Sequence, residues 1–361
     1  MAVAPPALAE ISLDDKYARE EGQVFLSGTQ ALVRLLLEQR RRDLKAGLNT
    51  AGFTSGYRGS PMGTFDTELN RAKAFLEDHH IHFRPGVNED LAATSVWGTQ
   101  QVPTMSGARY DGVFSLWYGK GPGVDRSGDA LKHGNMAGTS KHGGVLVAYG
   151  DDHGAKSSTV AHQSEYALMA AFIPTLNPAS VQDVLDFGLA GWAMSRFAGL
   201  WVGLKGVNET LLGSATISVH PDEPAFHIPT DFDAPAGLLN IDTRSRDDRR
   251  GKRYPVEREQ RLIRLSLPAA QAFARANRLD RHVLGAPKGR LGIVTTGKAH
   301  PDTLQALTGL GIDPRRAGAL GIGVYKIGLS WPVEPDGLKR FARGFSEILV
   351  VEEKRPLIED Q

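Results

Sequence analysis

Five short strand-like runs, one of small side chains and four apolar, alternate with helical stretches and leave this chain few architectures. The runs are Thr50–Gly56, Gly112–Tyr118, Gly143–Tyr149, Phe172–Leu176 and Leu200–Leu204. Short buried strands between helices predict a parallel sheet with helices on both faces. The clearest helix starts at Ser180 and Asp183, a capping-box-like pair, and carries Val181, Val184, Leu185, Leu189 and Trp192 on one face. An earlier helical pattern runs from Phe25 through Leu32, Leu35 and Leu36 into Arg40-Arg41-Arg42 and stops near Gly47. A second α/β unit begins at Arg290. Its strand Leu291–Thr295 turns through Thr296-Gly297-Lys298 into a helix bearing Leu304, Leu307 and Leu310. A strand Gly323–Leu329, a helix Pro335–Phe341 and a strand Glu347–Val351 follow. Between the units, Asp242–Arg253 mixes both signs of charge and reads as a solvated linker face, ahead of a helix over Val256–Ala276.

Composition removes whole classes of function. At 361 residues, two domains and an arm are expected. A formal net charge of +1 supplies no field for nucleic acid or an anionic membrane, and no basic stripe interleaved with aromatics is present. No apolar run reaches the roughly 20 residues that span a bilayer. The N-terminus MAVAPPALAEISLDD has neither the basic region nor the apolar stretch of a signal peptide, so a cytoplasmic location is expected. The absence of cysteine rules out disulfides, a thiol nucleophile and any cysteine-held zinc or iron–sulfur cluster in this chain.

The junction GFTSGYRGSPMGTFD, residues 52–66, changes from strand to helix within a few residues. Ser60 reads as an N-cap and Pro61 as the first helical residue, while Gly59 admits a close approach that a side chain would block. In an open α/β sheet this is the first turn from strand to helix, where ligands meet the carboxyl ends of strands. Further on, Pro85-Gly86-Val87-Asn88-Glu89-Asp90-Leu91 gives an N-cap at Asn88 with two acids in the first helical turn. The helix dipole alone accounts for acids at that place. Glu89, however, also follows a glycine-containing loop and opens a helix of small residues (Ala92, Ala93, Thr94, Ser95) against which another domain could pack closely.

Other motifs carry less. Thr295-Thr296-Gly297-Lys298 lacks P-loop spacing, with Ala299 at the Ser/Thr position, and no GxGxxG occurs. Arg58 stands two residues before Ser60, so there is no GxSxG nucleophile elbow. His80 and His82 would share a strand face and His153 and His162 lie near Asp151 and Asp152, but no third ligand has a recognisable spacing. No metal site is expected.

Taken together, Gly56-Tyr57-Arg58-Gly59-Ser60-Pro61, Val87-Asn88-Glu89 and Gly150-Asp151-Asp152-His153-Gly154-Ala155-Lys156-Ser157-Ser158 resemble the 2-oxoacid:ferredoxin oxidoreductases. Tyr325-Lys326-Ile327-Gly328-Leu329-Ser330-Trp331-Pro332 and Ile348-Leu349-Val350-Val351-Glu352-Glu353 extend the resemblance over essentially the whole chain. It is nearest to the N-terminal part of the long single-chain indolepyruvate ferredoxin oxidoreductases. The resemblance implies an N-terminal arm (1–22), a thiamine-diphosphate pyrimidine-binding-type parallel-sheet domain (23–233), a linker with a helix (234–286) and a smaller transketolase C-terminal-like α/β domain (287–361). It also implies oxidative decarboxylation of an aryl 2-oxoacid such as indolepyruvate, with coenzyme A and ferredoxin as partners, in a homo-oligomer.

By motif position the resemblance makes Glu89 the catalytic, cofactor-activating glutamate, which touches the aminopyrimidine and favours its imino tautomer. It places Ser60, Tyr57, Gly59, His153 and Lys156 beside the substrate, with Ser60 and Pro61 also next to the cofactor. A GDG…NN element, which would bind the diphosphate and Mg²⁺, is missing: Gly150-Asp151-Asp152 has Asp in place of the last Gly, and no Asn-Asn follows. The remaining domains of a full enzyme would then complete the cofactor site and hold the iron–sulfur clusters, leaving this chain inactive alone. Two alternatives stay open: a non-catalytic pyrimidine-type module or subunit, and an oxidoreductase for a different 2-oxoacid.

Overall fold

The computed structural model describes residues 11–155, 160–233, 239–242 and 254–361. Thirteen strands occur among them: β1 (Gly22–Ser27), β2 (Ala51–Gly56), β3 (Ile81–Phe83), β4 (Val113–Lys120), β5 (Val145–Gly150), β6 (Thr175–Leu176) and β7 (Trp201–Gly206), then β8 (Ser214–Val219), β9 (Arg281–Gly285), β10 (Gly289–Thr296), β11 (Ile322–Ile327), β12 (Leu329–Trp331) and β13 (Phe345–Val351). The main sheet has the order β12-β6-β7-β5-β4-β2-β3 and is parallel except for its edge strand β12. Both faces are covered, and β5 and β7 are buried at every position. The Gly28–Lys45 and Val181–Ala198 helices pack on one face, with Leu35, Leu36, Val184 and Trp192 in a core around Leu116 and Leu146. The Glu89–Thr99 helix lies on the other face, its Ala92, Ala93 and Val96 packed around Trp117 and Val147.

Strand order locates the site before any side chain is considered. From β2 the chain runs out to the edge strand β3, then returns past β2 to add β4 on the opposite side. The segments on either side of β3 lie on opposite faces: Phe65, Leu69 and Leu76 pack with the first core, and Ala92 and Val96 with the second. Such a reversal opens a crevice at the carboxyl ends of the two flanking strands, here β2 and β4.

Local chemistry sets the helix boundaries. Ser180 Oγ accepts the Asp183 N–H at 3.1 Å, and Asp183 Oδ2 in turn accepts the N–H of Ala179 at 2.8 Å. The first long helix begins at Gly28, not near Phe25. Ser27 is its cap, in a full capping box with Gln30, while Phe25 is 69% exposed on β1. Its strand partner is β8, almost two hundred residues away, which no local pattern reveals. Of the expected arm, residues 11–22 dock on this helix: buried Arg34 donates to the carbonyl of Lys16 at 2.7 Å, and Tyr17 is buried against Phe75. The helix expected over Val256–Ala276 is Tyr254–Ala276, broken by a π-helical turn at Leu262–Ser266. Most of the Asp242–Arg253 charge run lies outside the described residues.

A second, four-stranded sheet has the order β13-β10-β11-β9, with β10 parallel to both neighbours and β9 antiparallel at the edge. The strand expected over Gly323–Leu329 divides at Gly328. Its first part, β11, stays in this sheet, while β12 crosses to pair with β6 of the main sheet. A Cβ at Gly328 would stand 2.7 Å from the Leu279 carbonyl oxygen, so glycine is what fits at the crossing.

Candidate functional site at the carboxyl rim

The junction from β4 to the Gly121–Arg126 helix, Lys120-Gly121-Pro122-Gly123, is the hub of the crevice, and glycines let its neighbours reach it. A Cβ on Gly59 would lie 2.7 Å from Lys120 Cδ, so the Tyr57–Pro61 loop rests on the lysine stem. A Cβ on Gly121 would meet His162 Cβ at 2.4 Å. A Cβ on Gly123 would meet Glu89 Cγ at 2.7 Å and Glu89 Oε1 at 2.8 Å. On the other side, Pro61 and Met62 cover the last residue of β5, since a Cβ on Gly150 would lie 2.8 Å from each.

Glu89 is the first residue of its helix, and Asn88 caps that helix by accepting the Leu91 N–H at 2.9 Å. Two main-chain ties hold the approach. Gly86 N–H donates to the Gly56 carbonyl at 2.9 Å, and Trp117 Nε1 donates to the Glu89 carbonyl at 3.0 Å. Neighbouring Asp90 pairs with Arg126 at 2.6 Å, whereas the half-buried Glu89 carboxylate forms no hydrogen bond or ion pair among the described residues. A carboxylate seated in a glycine notch, at a helix start, with its lone pairs uncommitted can accept a proton or a hydrogen bond from a ligand in the crevice.

Tyr57, Gly59 and Ser60 line the neighbouring loop, Tyr57 being 40% exposed and Ser60 half-buried. Ser60 is not a helix cap and Pro61 is not a first helical residue. The helix begins at Phe65, after Thr64, because Pro61 and Met62 are spent covering the end of β5. Ser60 therefore sits on a loop at the carboxyl end of β2, five residues ahead of the helix it was expected to start.

His153 is anchored through one ring nitrogen and faces a carboxylate with the other. Nδ1 lies 2.8 Å from the His162 carbonyl and Nε2 lies 3.3 Å from Glu353 Oε2. The contact with His153 holds Glu353 below the ordinary glutamate range, against the opposing effect of burial. Lys156 lies outside the described residues. His80 sits in a turn and His82 points outward from β3, and among the described residues no three acidic or histidine side chains are grouped to hold a metal ion.

Sequence reasoning missed two parts of this region. One is the junction after β4 itself, although Gly119-Lys120-Gly121-Pro122-Gly123 is a dense glycine signal at a strand end. The other is a buried cluster beneath the rim: Lys205 of β7 pairs with Glu165 and lies 3.8 Å from Asp151. Asp151 also accepts the Ser164 N–H at 2.8 Å and its hydroxyl at 2.5 Å, closing the loop that follows β5. Burial opposes the charge on Lys205, yet the Glu165 and Asp151 carboxylates outweigh it and raise its pKa. Burial pushes Glu165 up as well. The C-terminal segment then grips the same loop, with the Arg355 guanidinium 3.8 Å from the Tyr166 ring centre and the Tyr166 hydroxyl donating to the Pro356 carbonyl at 3.0 Å.

The model of the indolepyruvate oxidoreductase domain matches residues 281–361. The chain is 25% identical over 353 residues to the indolepyruvate oxidoreductase subunit IorA of Methanothermobacter thermautotrophicus, covering 95% of this chain and 48% of that protein. It is 23% identical over 351 residues to the IorA subunit of Pyrococcus abyssi, covering 94% of this chain and 46% of that one. Among solved structures, the 2-oxoglutarate:ferredoxin oxidoreductase of Magnetococcus marinus, with 2-oxoglutarate, coenzyme A and succinyl-CoA bound, superposes with a TM-score of 0.62 at 13% identity, over 94% of this chain and 60% of that chain. Over nearly its whole length the chain is similar to indolepyruvate oxidoreductase subunits, and it shares its fold with a 2-oxoacid:ferredoxin oxidoreductase. The chain spans about half the length of the curated relatives it matches. Its mixed α/β fold with parallel sheets is that of the solved oxidoreductase, and among the described residues no helix is long and apolar enough to cross a membrane.

Proposed function

We propose that the chain is the N-terminal part of a thiamine-diphosphate-dependent oxidoreductase that oxidatively decarboxylates an aryl 2-oxoacid, indolepyruvate, to an acyl-CoA and passes the electrons to ferredoxin. The observation that carries this reading is the uncommitted Glu89 carboxylate held in the Gly123 notch, at the crevice where the order of the main sheet reverses. A structural acid at a helix start needs no glycine opposite it.

The rim fits the cofactor's pyrimidine side: Glu89 would hold it by a hydrogen bond to a ring nitrogen, with Ser60 and Pro61 bordering the same space. Thiamine diphosphate supplies, when bound, a carbon nucleophile and an electron sink for decarboxylation. The work of this chain is to hold a proton acceptor at Glu89 Oε1 and Oε2, to shield that carboxylate beside the junction after β4, and to border the substrate with Tyr57, Gly59 and Ser60. His153, which faces Glu353, and Lys156 are assigned to the substrate as well. Diphosphate, Mg²⁺ and iron–sulfur sites are assigned to domains outside this chain, because the sequence has no GDG…NN element and no cysteine.

Two measurements test this reading. Calorimetric titration of the isolated chain with Mg²⁺ and thiamine diphosphate should show weak binding, since half of the site is elsewhere; micromolar affinity would overturn the split site. The full-length protein should reduce ferredoxin with indolepyruvate and coenzyme A faster than with pyruvate or 2-oxoglutarate. A preference for either of those acids would replace the substrate, and no turnover with any 2-oxoacid would favour a non-catalytic module.

A further inference from the structure

A cavity of about 430 Å³ opens in the second unit, between the end of the Leu267–Ala276 helix, the start of β9 and the Pro335–Ala342 helix. Its charge is lopsided. Arg278, Arg281 and Arg340 line it with His282, and none of the three arginines makes an ion pair among the described residues. The acids present are already committed. Glu334 Oε2 accepts the Gly337 N–H at 2.7 Å, and Glu334 Oε1 takes the Asp336 N–H at 3.0 Å and Arg275 at 3.0 Å. Arg275 is thereby neutralised, with Asp231 as a second partner at 2.7 Å. Asp280 turns one oxygen to the N–H groups of Gly328 and Leu329, at 2.8 and 2.9 Å, and its other oxygen is buried without a partner. Burial pushes its carboxyl up to about 7, so near neutral pH it offers the arginines only a fraction of a charge.

The opposite wall is aromatic. Tyr325 and Phe341 pack with ring centres 5.0 Å apart, and the His282 ring lies 5.7 Å from Phe341. Three arginines without ion-pair partners leave their forked donors free at one cavity, and phosphate oxygens match such forks. A flat ring beside the phosphate would stack on the aromatic wall. The volume falls within the usual range of small-ligand pockets, about 300–1,000 Å³.

We propose that this cavity binds a phosphate-bearing nucleotide, with Arg278, Arg281 and Arg340 on the phosphates and the Tyr325–Phe341 wall on the base. The site stands apart from the β2–β4 crevice and does not depend on the role given to Glu89.

The test titrates the complete chain with ADP, adenosine 3′,5′-bisphosphate and inorganic phosphate, by calorimetry and thermal shift. Either nucleotide should bind with a Kd below about 1 mM, and R281Q/R340Q should weaken it at least about tenfold. R343Q, an exposed arginine outside the cavity, should bind as the wild type does. A preference for the bisphosphate assigns the site to the phosphoadenosine end of a coenzyme A-type molecule, and a preference for ADP assigns it to a free nucleoside diphosphate. No binding of either nucleotide, equal binding of inorganic phosphate, or unchanged binding by R281Q/R340Q would overturn the proposal. Should the double variant fail to fold, photolabelling of the wild type with an azidoadenosine diphosphate decides instead. Label within residues 278–282 or 337–341 supports the site, and label confined elsewhere overturns it.

Discussion

Gly123→Ala separates a working Glu89 from a helix-start charge. Gly123 is the third residue of the Gly121–Arg126 helix and is not among the positive-φ glycines, so alanine suits its backbone. In a helix, alanine is favoured over glycine by up to about 1 kcal/mol. Its Cβ, however, would stand 2.7 Å from Glu89 Cγ and 2.8 Å from Oε1. Ordinary carbon contacts begin near 3.5 Å, so the glutamate must withdraw by roughly 0.8 Å. A flexible side chain end does so at little cost in stability. For a positioned catalytic group, a displacement near 1 Å costs about 10²-fold in rate. The variant is therefore expected to melt at or above the wild-type temperature while activating the cofactor about a hundredfold more slowly. The assay pairs thermal unfolding of the chain with deuterium exchange at the cofactor C2 position, followed by NMR in the full-length protein. Exchange at the wild-type rate in a stable Gly123→Ala protein would refute the link between the notch and the carboxylate's work.

Asp280→Asn should change the pH dependence of stability. The wild-type carboxyl is raised to about 7, so the folded state binds the extra proton and this group's contribution falls as pH rises from about 4 to about 7. At pH 8 the charged form costs at most about 4 kcal/mol, at 1.36 kcal/mol per pKa unit. Urea unfolding should show Asn gaining on the wild type across that window, and parallel profiles would refute the assignment. Gly28→Ala should destabilise by about 1–3 kcal/mol, because its Cβ would lie 1.8 Å from the backbone oxygen of Thr210; an unchanged urea midpoint would contradict that packing. Asp186, raised to about 6 by burial, should make Asp186→Asn more stable than the wild type at pH 7.5 and nearly equal to it at pH 4, read from melting temperatures.

What the sequence disclosed was local or periodic. β2, β4, β5 and β7 are visible as strand-like runs because both faces of the sheet are covered, and the Ser180 and Asn88 caps because a hydroxyl or amide must meet an orphan N–H. What it hid depended on distant partners. β1 pairs with β8, and β12 leaves its own unit for β6, so neither follows from neighbouring residues. The Ser60 turn misled because a cap-and-proline pattern says where a helix could begin, while Pro61 and Met62 are needed over Gly150. Glu89 was legible as a position. Its notch was not, since only the fold brings Gly123 to it. The rim histidine shows the same limit: His153 is plain in the sequence, but the Glu353 it faces is two hundred residues away.

The most direct test of the account is cofactor C2–H exchange in the full-length Glu89→Gln protein. The amide keeps the size of the side chain but cannot take a proton, and the fold should survive, because an acid at a helix start contributes only about 0.3–1 kcal/mol. The account predicts an exchange rate lowered by about 10²–10⁴ in a protein that melts within a few degrees of the wild type. Exchange at the wild-type rate would mean that Glu89 serves its helix alone, and the assignment of the crevice would fall with it.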